Sequence, residues 1–482
     1  MELSLKDINI CEYNKIINTA CSAEADIIVP DTKPDIYKIL CVNASVDLAE
    51  SYVKKGKIIF SGDVKFNVMY VGDNNKSAIY TIEYSVPFNH QSDAFDAMQE
   101  NNCAVTCHIS DTDFKLKNSR KLMAKCNISV VARATKHSVL KALEKVDGDN
   151  TVPFRQKTVK ADSFVNSKEF SFNVSDTLAL PGREMPEEIY DFSVNVNISE
   201  IKKVNNKAII KGTLPIKIFY VSGNTPGTYE TEFSFTEIAD LDMIGPESIL
   251  SSDFCIGKVN YEITDDEADP LIEADIVVKG FIKAYEPSEY VIVSDIYSPD
   301  YKYSVSKSKV NLEKYHCLTP VQITVKDIIG SKSEEGDISK VHYMNAYAQC
   351  ESAAYQNSVV VVSGNIKTTV IYSNHQDELC SIHKIIPFNA EIPSNENLEN
   401  SFFDVRVSPI NYGYVLSSDK DVQVRFVLRF ETDAYTVCNT NLITDFSMDT
   451  DGFNVAVYDK LLGEMFEMSA FDLNNEMTLL RK

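Results

Sequence analysis

Tryptophan is absent from this chain of 482 residues, whereas tyrosine and phenylalanine occur 24 times each. Sugar-binding sites favour large aromatic faces, so the missing indole rings argue against a carbohydrate-binding surface. A group of tyrosines between Tyr285 and Tyr303 keeps that function open as an alternative.

Short motifs of nucleotide and hydrolase sites are missing as well. The sequence contains no GxGxxG, GxxxxGKS/T or GxSxG string, so neither a phosphate-binding loop nor a nucleophile elbow is indicated. Paired carboxylates are too frequent in so acidic a chain for any two to be singled out as a catalytic pair. We predict that the protein is not an enzyme and that it binds no cofactor.

Four groups of potential metal ligands occur, and none has the spacing of a metal site. They are His375 with His383, Cys103 with Cys107 and His108, the acidic run 265–275, and the loop 449–452. The two cysteines would share one face of an alternating strand, which favours a core position for both. A loop of the EF-hand type would place Tyr458 where a bidentate carboxylate is required. We predict no metal ion.

The sequence shows no visible signal for secretion or for membrane insertion. The 11 cysteines form no CxxC pair and are odd in number, which is typical of a reducing compartment. The N-terminal residues lack a basic start followed by an apolar run, and no stretch approaches the length of a membrane span. We therefore expect a cytoplasmic protein without a membrane span.

Negative charge dominates the composition. There are 70 acidic and 47 basic residues, which gives a formal net charge of −23. Such a surface repels a phosphate backbone, so we predict no nucleic-acid partner. A basic protein partner or cations would be favoured instead.

One strand pattern occurs three times in the chain. A glycine is followed eight residues later by a tyrosine, mostly with apolar residues at alternate positions between them. The three segments are Gly62–Tyr70, Gly212–Tyr220 and Gly364–Tyr372, and their glycines lie 150 and 152 residues apart. Alternation puts one face of a strand on a core and the other in water. Three copies at one period indicate a tandem array of β domains.

The predicted fold class is therefore all-β, with three tandem repeats that resemble β-sandwiches or open barrels and a short mixed C-terminal tail. The predicted limits are 1–150, 151–308 and 309–440 for the repeats and 441–482 for the tail. Helical composition is confined to His137–Glu144 and parts of the tail. We expect the repeats to form an elongated, semi-rigid rod.

Pro215 interrupts the second glycine-led strand. Because proline has no N–H group to donate to a ladder, this strand is predicted to lie at a sheet edge or to carry a bulge.

A proline-braced turn precedes the first glycine-led strand. Pro30 and Pro34 are each followed by an aspartate, Asp31 and Asp35. The carboxylates of such aspartates often cap nearby backbone N–H groups, which is one interpretation of the pattern. The other interpretation is a rigid acidic protrusion that docks a basic surface of a partner protein. These four residues are our candidate partner-binding site.

The string VPDTKPDI at Val29–Ile36, followed by a glycine-led strand, resembles the SPOCS domain found in SipL-type proteins of endospore-forming bacteria. The string is intact in the first repeat and diverged at Leu178–Phe192 in the second. The third repeat keeps only the spacing of its strands. The resemblance implies a non-enzymatic role in spore coat morphogenesis, on the mother-cell side of the forespore surface. It also implies binding to the ATPase of the coat basement layer.

Many members of this family carry a C-terminal LysM module. The tail from Leu462 is too short for a whole module and is similar only to its opening, at Gly463 and Glu464. We therefore expect no intact LysM module.

Two functions from different classes follow. The first is a scaffold in spore coat or envelope assembly that binds a partner protein through its repeats. The alternative is an envelope module that binds carbohydrate or peptidoglycan. Retention on insoluble peptidoglycan would separate them.

Overall fold

The computed structural model describes residues 2–93, 102–147, 152–181, 185–222, 225–264, 271–298, 301–331 and 336–453. These residues form 20 β-strands that fall into three successive units. No helix that could cross a lipid bilayer occurs among them.

Unit 1 contains six strands. They are β1 (Glu2–Ile28), β2 (Ile36–Lys54), β3 (Lys57–Gly72), β4 (Ile79–Asp93), β5 (Asn102–Asn118) and β6 (Lys121–Asp147). Unit 2 contains β7 (Phe154–Leu178), β8 (Glu188–Val194), β9 (Asn197–Val204), β10 (Lys207–Ser222), β11 (Thr225–Asp240), β12 (Ile249–Thr264) and β13 (Leu271–Ile296). Unit 3 contains β14 (Tyr301–Cys317), β15 (Val321–Gly330), β16 (Ile338–Gln356), β17 (Val359–Asn374), β18 (Leu379–Pro393), β19 (Ser401–Leu416) and β20 (Asp421–Phe453).

Every unit has the same antiparallel topology of two sheets. In unit 1 the strand orders are β2-β3-β4 and β1-β6-β5. Unit 2 repeats them with β8 and β9 both pairing β10, and unit 3 repeats them with β14 and β15 both pairing β20. Apolar side chains of the two sheets enclose a separate core in each unit. The predicted all-β fold of three sandwich-like repeats is confirmed.

The repeated glycine has a steric cause. Gly62, Gly212 and Gly364 each lie on the central strand of a sheet, where the neighbouring strand bulges. A Cβ atom at each glycine would clash with a backbone carbonyl oxygen of that bulge. The three carbonyls belong to Asp47, Asn197 and Gln349. The strand on the other side pairs each glycine with a phenylalanine, and the tyrosine that ends each segment is buried.

Pro215 lies on a central strand, so the edge predicted for it is wrong. β10 pairs with β11 on one side and with β8 and β9 on the other. The missing N–H group is accommodated by an interruption of the partner strand, between Val194 and Asn197. The Pro215 carbonyl still accepts a hydrogen bond from the Asn195 N–H at 3.1 Å.

The three units surround a common axis, so the rod expected from the sequence is wrong. The outer halves of β1 and β6, of β7 and β13, and of β14 and β20 extend beyond the sandwiches as two-stranded arms. Apolar residues of all three arms pack together in shared clusters. Away from the arms, a further cluster combines residues of all three units. Each unit therefore contacts both of the others.

Two predicted domain limits fall inside continuous strands. Residue 308 lies within β14 and residue 440 within β20. The division at those limits stays a prediction. His137–Glu144, which has helical composition, lies in β6 and pairs with β1. Residues 441–453 of the predicted tail belong to β20, and the rest of the tail lies outside the described residues.

Candidate functional site

The candidate partner-binding residues lie in the connection between β1 and β2, residues 29–35, here called the aspartate turn. The turn rests on the hairpin that joins β5 to β6. The N–H of Val29 donates to the Arg120 carbonyl at 2.9 Å, and the N–H of Ile36 donates to the Ser119 carbonyl at 2.7 Å. Both ends of the turn are thereby fixed to one support.

Arg120 also fixes the aspartates of the turn. Its guanidinium donates to the Asp35 carboxylate at 2.6 Å and to the Asp31 carboxylate at 3.2 Å. The Ser119 hydroxyl donates to Asp35 at 2.7 Å. The hydrogen bonds from Ser119 and Arg120 lower the pKa of the Asp35 carboxyl. Asp35 thus accepts from side chains here, whereas the capping interpretation expects backbone donors. Asp31 leaves its side chain fully open to solvent.

Pro34 packs against the end of β3. A Cβ atom at Gly72 would lie 2.7 Å from the Pro34 ring, so only glycine allows this close approach. The hydroxyl of Tyr70 donates to the Pro34 carbonyl at 3.0 Å. The tyrosine of the repeated strand therefore also supports the aspartate turn.

Unit 3 builds the same support without the prolines. The N–H of Ile338 donates to the Asp419 carbonyl at 2.5 Å, in the place of Ile36 and Ser119 in unit 1. Asp337 lies 3.9 Å from the Lys420 ammonium, in the place of the pair between Asp35 and Arg120. In unit 2, residues 182–184 and 265–270 lie outside the described part of the chain.

The aspartate turn also contributes to the contact between units 1 and 2. Its Lys33 ammonium donates to the Thr81 carbonyl at 2.6 Å and lies 3.1 Å from the Glu188 carboxylate of unit 2. Lys33 is held in place by a backbone bond from its own N–H to Pro30, at 2.9 Å. The turn is therefore rigid and partly engaged, with Asp31 as its exposed acidic group.

Next to the turn, one set of equivalent positions lies around the common axis. Cys41, Asp191 and Tyr343 occupy the same register opposite the central strands of their sheets, each beside a register shift. Apolar neighbours of all three units surround them. Tyr343 stacks on Phe219 of unit 2, with ring centroids 4.5 Å apart.

Polar groups at the axis are linked across the units. The Tyr343 hydroxyl donates to the Asp191 carboxylate at 2.5 Å, and the Asn43 amide lies 3.5 Å from its other oxygen. The Cys41 thiol donates to Asn43 at 2.9 Å. Burial raises the pKa of the Asp191 carboxyl, against the effect of the Tyr343 and Asn43 hydrogen bonds. The sequence pattern gave no sign of this network, because its members differ in every unit.

Contacts between units recur in a cyclic order. Asn67 and Lys217 occupy equivalent positions on the central strands. Each lies two residues before the residue of its strand that reaches the axis, Met69 or Phe219. The Asn67 amide of unit 1 donates to the Tyr190 carbonyl of unit 2 at 2.7 Å. The Lys217 ammonium of unit 2 lies 5.7 Å from the Tyr343 ring centroid of unit 3. Unit 1 thus contacts unit 2, and unit 2 contacts unit 3, through equivalent positions of the central strand.

The potential metal ligands do not assemble into a site in the described part of the chain. Cys107 packs against the core of unit 1, and burial raises the pKa of its thiol to about 12. The side chains of Cys103 and His108 lie outside the described residues. His383 lies 3.0 Å from the Thr369 hydroxyl, and His375 is exposed.

Two of the tyrosines that kept a sugar-binding surface open are internal. Tyr285 and Tyr290 are buried at the junction of units 2 and 3. Tyr285 stacks on Tyr315, with ring centroids 5.1 Å apart. The rings of Tyr285 and Tyr290 fill contacts between units and are not available to a sugar.

Two segments of the chain match one protein-family model, the SPOCS domain of SipL. The matched residues are 35–117 and 186–264. The chain contains two SPOCS matches. They cover β2–β5 of unit 1 and β8–β12 of unit 2, and the first begins at Asp35. The SPOCS resemblance is thereby confirmed. No curated protein and no solved structure matches this chain.

Proposed function

We propose that this chain is a non-enzymatic scaffold of spore coat or envelope assembly that binds a partner protein. The observation that carries the proposal is the SPOCS match in two of three similarly built units. The proposed partner is the ATPase of the coat basement layer, and the proposed location is the mother-cell side of the forespore surface.

The aspartate turn is the proposed docking element. Its support by Arg120 and Ser119 holds the backbone in one shape, so little conformational entropy is lost when a partner binds. Asp31 is the acidic group that remains exposed on it. A basic segment of the partner would complement this group and the net charge of −23.

Because the units pack around one axis and do not form a rod, their docking elements would act together at one end of the molecule. The aspartate turn and its counterpart in unit 3 both lie at the end of the sandwiches that is remote from the arms. A polymerised partner could then be engaged at several points by one molecule, which raises avidity without strong single contacts.

Substitution of Asp31 tests the docking proposal. Asp31→Ala removes the exposed carboxylate and leaves Asp35 with its two donors, so the fold is expected to stay intact. We expect recovery of the coat ATPase with the purified chain to fall several-fold. Asp63→Ala, an exposed aspartate on β3, is the matched control. Unchanged recovery with Asp31→Ala would remove the turn from the proposed interface, and retention on peptidoglycan instead of the ATPase would favour the carbohydrate-binding alternative.

A further inference from the structure

The contact between unit 3 and unit 1 closes the ring of units, and it is here called the seam. Units 1 and 2, and units 2 and 3, are also joined through the chain, by the short connections after β6 and β13. The seam has no such connection, and its contacts in the described part of the chain are non-covalent.

Equivalent strands form all three contacts between units. The Thr81 hydroxyl on β4 donates to the Glu188 carboxylate at the start of β8. The Thr228 hydroxyl on β11 donates to the His342 carbonyl on β16 at 2.9 Å. At the seam, β18 contacts β2. One edge of each unit thus faces a different edge of the next, which makes the contact heterologous. A heterologous contact closes a ring when the rotation allows it and otherwise joins successive molecules.

Polar contacts at one part of the seam lie on the surface. The Lys76 ammonium of unit 1 is 2.8 Å from the Glu378 carboxylate of unit 3, and both side chains are more than one third exposed. The N–H of Leu379 donates to the Lys76 carbonyl at 3.1 Å, and the Ser77 hydroxyl donates to the Asp377 carbonyl at 2.6 Å. Between units 2 and 3, by contrast, the bond from Tyr343 to Asp191 is buried.

A second ion pair lies at the seam. The Lys367 ammonium of unit 3 is 3.1 Å from the Asp111 carboxylate of unit 1. Each face of the seam therefore carries one positive and one negative group, and each is complementary to the other. Behind these pairs, Leu40 and Met69 of unit 1 share an apolar cluster with Ile371 of unit 3.

We propose that the seam is exchangeable, so that unit 3 of one copy closes on unit 1 of a second copy. The partner is thus another molecule of this chain, and the contact it makes is the one already present within each molecule. Because the apolar cluster includes residues of all three units, unit 1 also leaves its own unit 2 and packs against unit 2 of the second copy. Exchange of this kind conserves the cluster, the backbone bond and both ion pairs. The product is a pair of interlinked chains with two seams.

Charge reversal separates this exchange from ordinary self-association. In the first variant, Lys76→Glu with Asp111→Lys reverses the face of unit 1. In the second variant, Glu378→Lys with Lys367→Glu reverses the face of unit 3. Each variant alone then opposes like charges at its own seam. In a mixed pair, both seams are complementary again.

We expect an equimolar mixture to form a two-chain species in sedimentation velocity and native mass spectrometry. Because an exposed pair changes an equilibrium by about two- to fivefold, we expect the mixed pair to exceed the like pairs by roughly tenfold or more. Raising the salt concentration should reduce the preference. A mixture that behaves as the sum of its components, with both variants folded by circular dichroism, would overturn the proposal.

Two controls complete the test. Lys65 and Glu83 form a cross-strand pair of similar exposure within unit 1, 3.1 Å apart, so Lys65→Glu mixed with Glu83→Lys should give no mixed pair. Should a reversed variant fail to fold, energy transfer between two differently labelled native preparations decides the question. Transfer that rises with time after mixing would support exchange, and its absence over days would contradict it.

Discussion

The Tyr343 hydroxyl of unit 3 donates a hydrogen bond of 2.5 Å to the Asp191 carboxylate of unit 2, at the point where the three units meet. Asp191 accepts from Asn43 of unit 1 as well, at 3.5 Å. One carboxylate is therefore tied to both neighbouring units. The equivalent position in unit 1 is Cys41, so the ring is closed by unequal contacts at equivalent places.

Removal of the Tyr343 hydroxyl tests this link. Tyr343→Phe keeps the ring that stacks on Phe219 and leaves the buried Asp191 carboxylate with one weaker donor. A hydrogen bond to a charged group contributes about 1.5–3 kcal/mol, so we expect the free energy of unfolding to fall by that amount. Urea denaturation measures it.

A double-mutant cycle provides the control for Tyr343. Asp191→Asn removes the charge, so the loss caused by Tyr343→Phe should be smaller in that background. Equal losses in both backgrounds would mean that the hydroxyl does not stabilise the Asp191 carboxylate.

Because the His342 imidazole is partly buried, we expect the stability of the fold to depend on pH. Burial lowers the pKa of His342 to about 4, from an ordinary value of 6.5. The unfolded chain therefore binds a proton between pH 4 and 6.5 that the folded chain does not, and stability rises with pH across this window. The contribution reaches at most about 3 kcal/mol. His342→Asn should flatten this part of a stability profile measured by urea titration, and an unchanged slope would contradict the assignment.

For the Glu313 carboxyl we expect the opposite dependence of stability on pH. Burial raises its pKa to about 7, from an ordinary value of 4.5. The folded chain therefore holds a proton between pH 4.5 and 7 that the unfolded chain has released, and stability falls as pH rises through this window. Glu313→Gln keeps the shape and removes the charge, so we expect higher thermal stability than the native chain at pH 8 and little difference at pH 4. Lower stability at pH 8 would show that the Glu313 charge is compensated.

Alternation and repetition were sufficient to predict the fold class, because strands that recur at one period bury the same face each time. Equivalent glycines and tyrosines occupy the same places in β3, β10 and β17. The packing of the units could not be predicted in this way. It depends on the other face of these strands, where Met69, Phe219 and Ile371 lie at the axis. On that face an apolar residue in a mostly polar row gives too little signal.

The candidate site was predicted in part for a similar reason. Two prolines and two aspartates within six residues indicate a rigid turn, and the structure contains one. The partner of Asp35 could not be foreseen, because Arg120 is 85 residues away in the sequence. Pro215 shows a further limit, since its accommodation depends on an interruption in another strand.

Loss of the Arg120 side chain is expected to loosen the aspartate turn. Arg120→Ala leaves the Asp35 carboxylate with Ser119 and frees two carbonyls of the turn. We expect faster amide hydrogen exchange for Ile36 and its neighbours, with exchange in the cores unchanged. Lys117→Ala on the same hairpin, which breaks an exposed pair with Asp26 of β1, is the matched control. Equal effects of the two variants would contradict a special role of Arg120.

One row of side chains has a different composition in each sandwich. In unit 2, Gly280 on β13 lies between Phe170 and Phe254, and a Cβ atom there would be 2.8 Å from either ring. In unit 1 the same row contains Val130 between Thr19 and Cys107. Unit 3 places Phe430 between two valines. The volume of the row is thus distributed differently among three strands.

Transfer of the unit 1 row into unit 2 tests this distribution. Gly280→Val alone forces a branched side chain against Phe170 and Phe254, so we expect a loss of about 1–3 kcal/mol in the free energy of unfolding. Adding Phe170→Thr and Phe254→Cys reproduces the row of unit 1 and should recover part of that loss. The two replacements without Gly280→Val leave a cavity and should destabilise the chain more than the triple variant does. A triple variant less stable than both would indicate that surrounding contacts, and not the row itself, determine which residue each unit accepts.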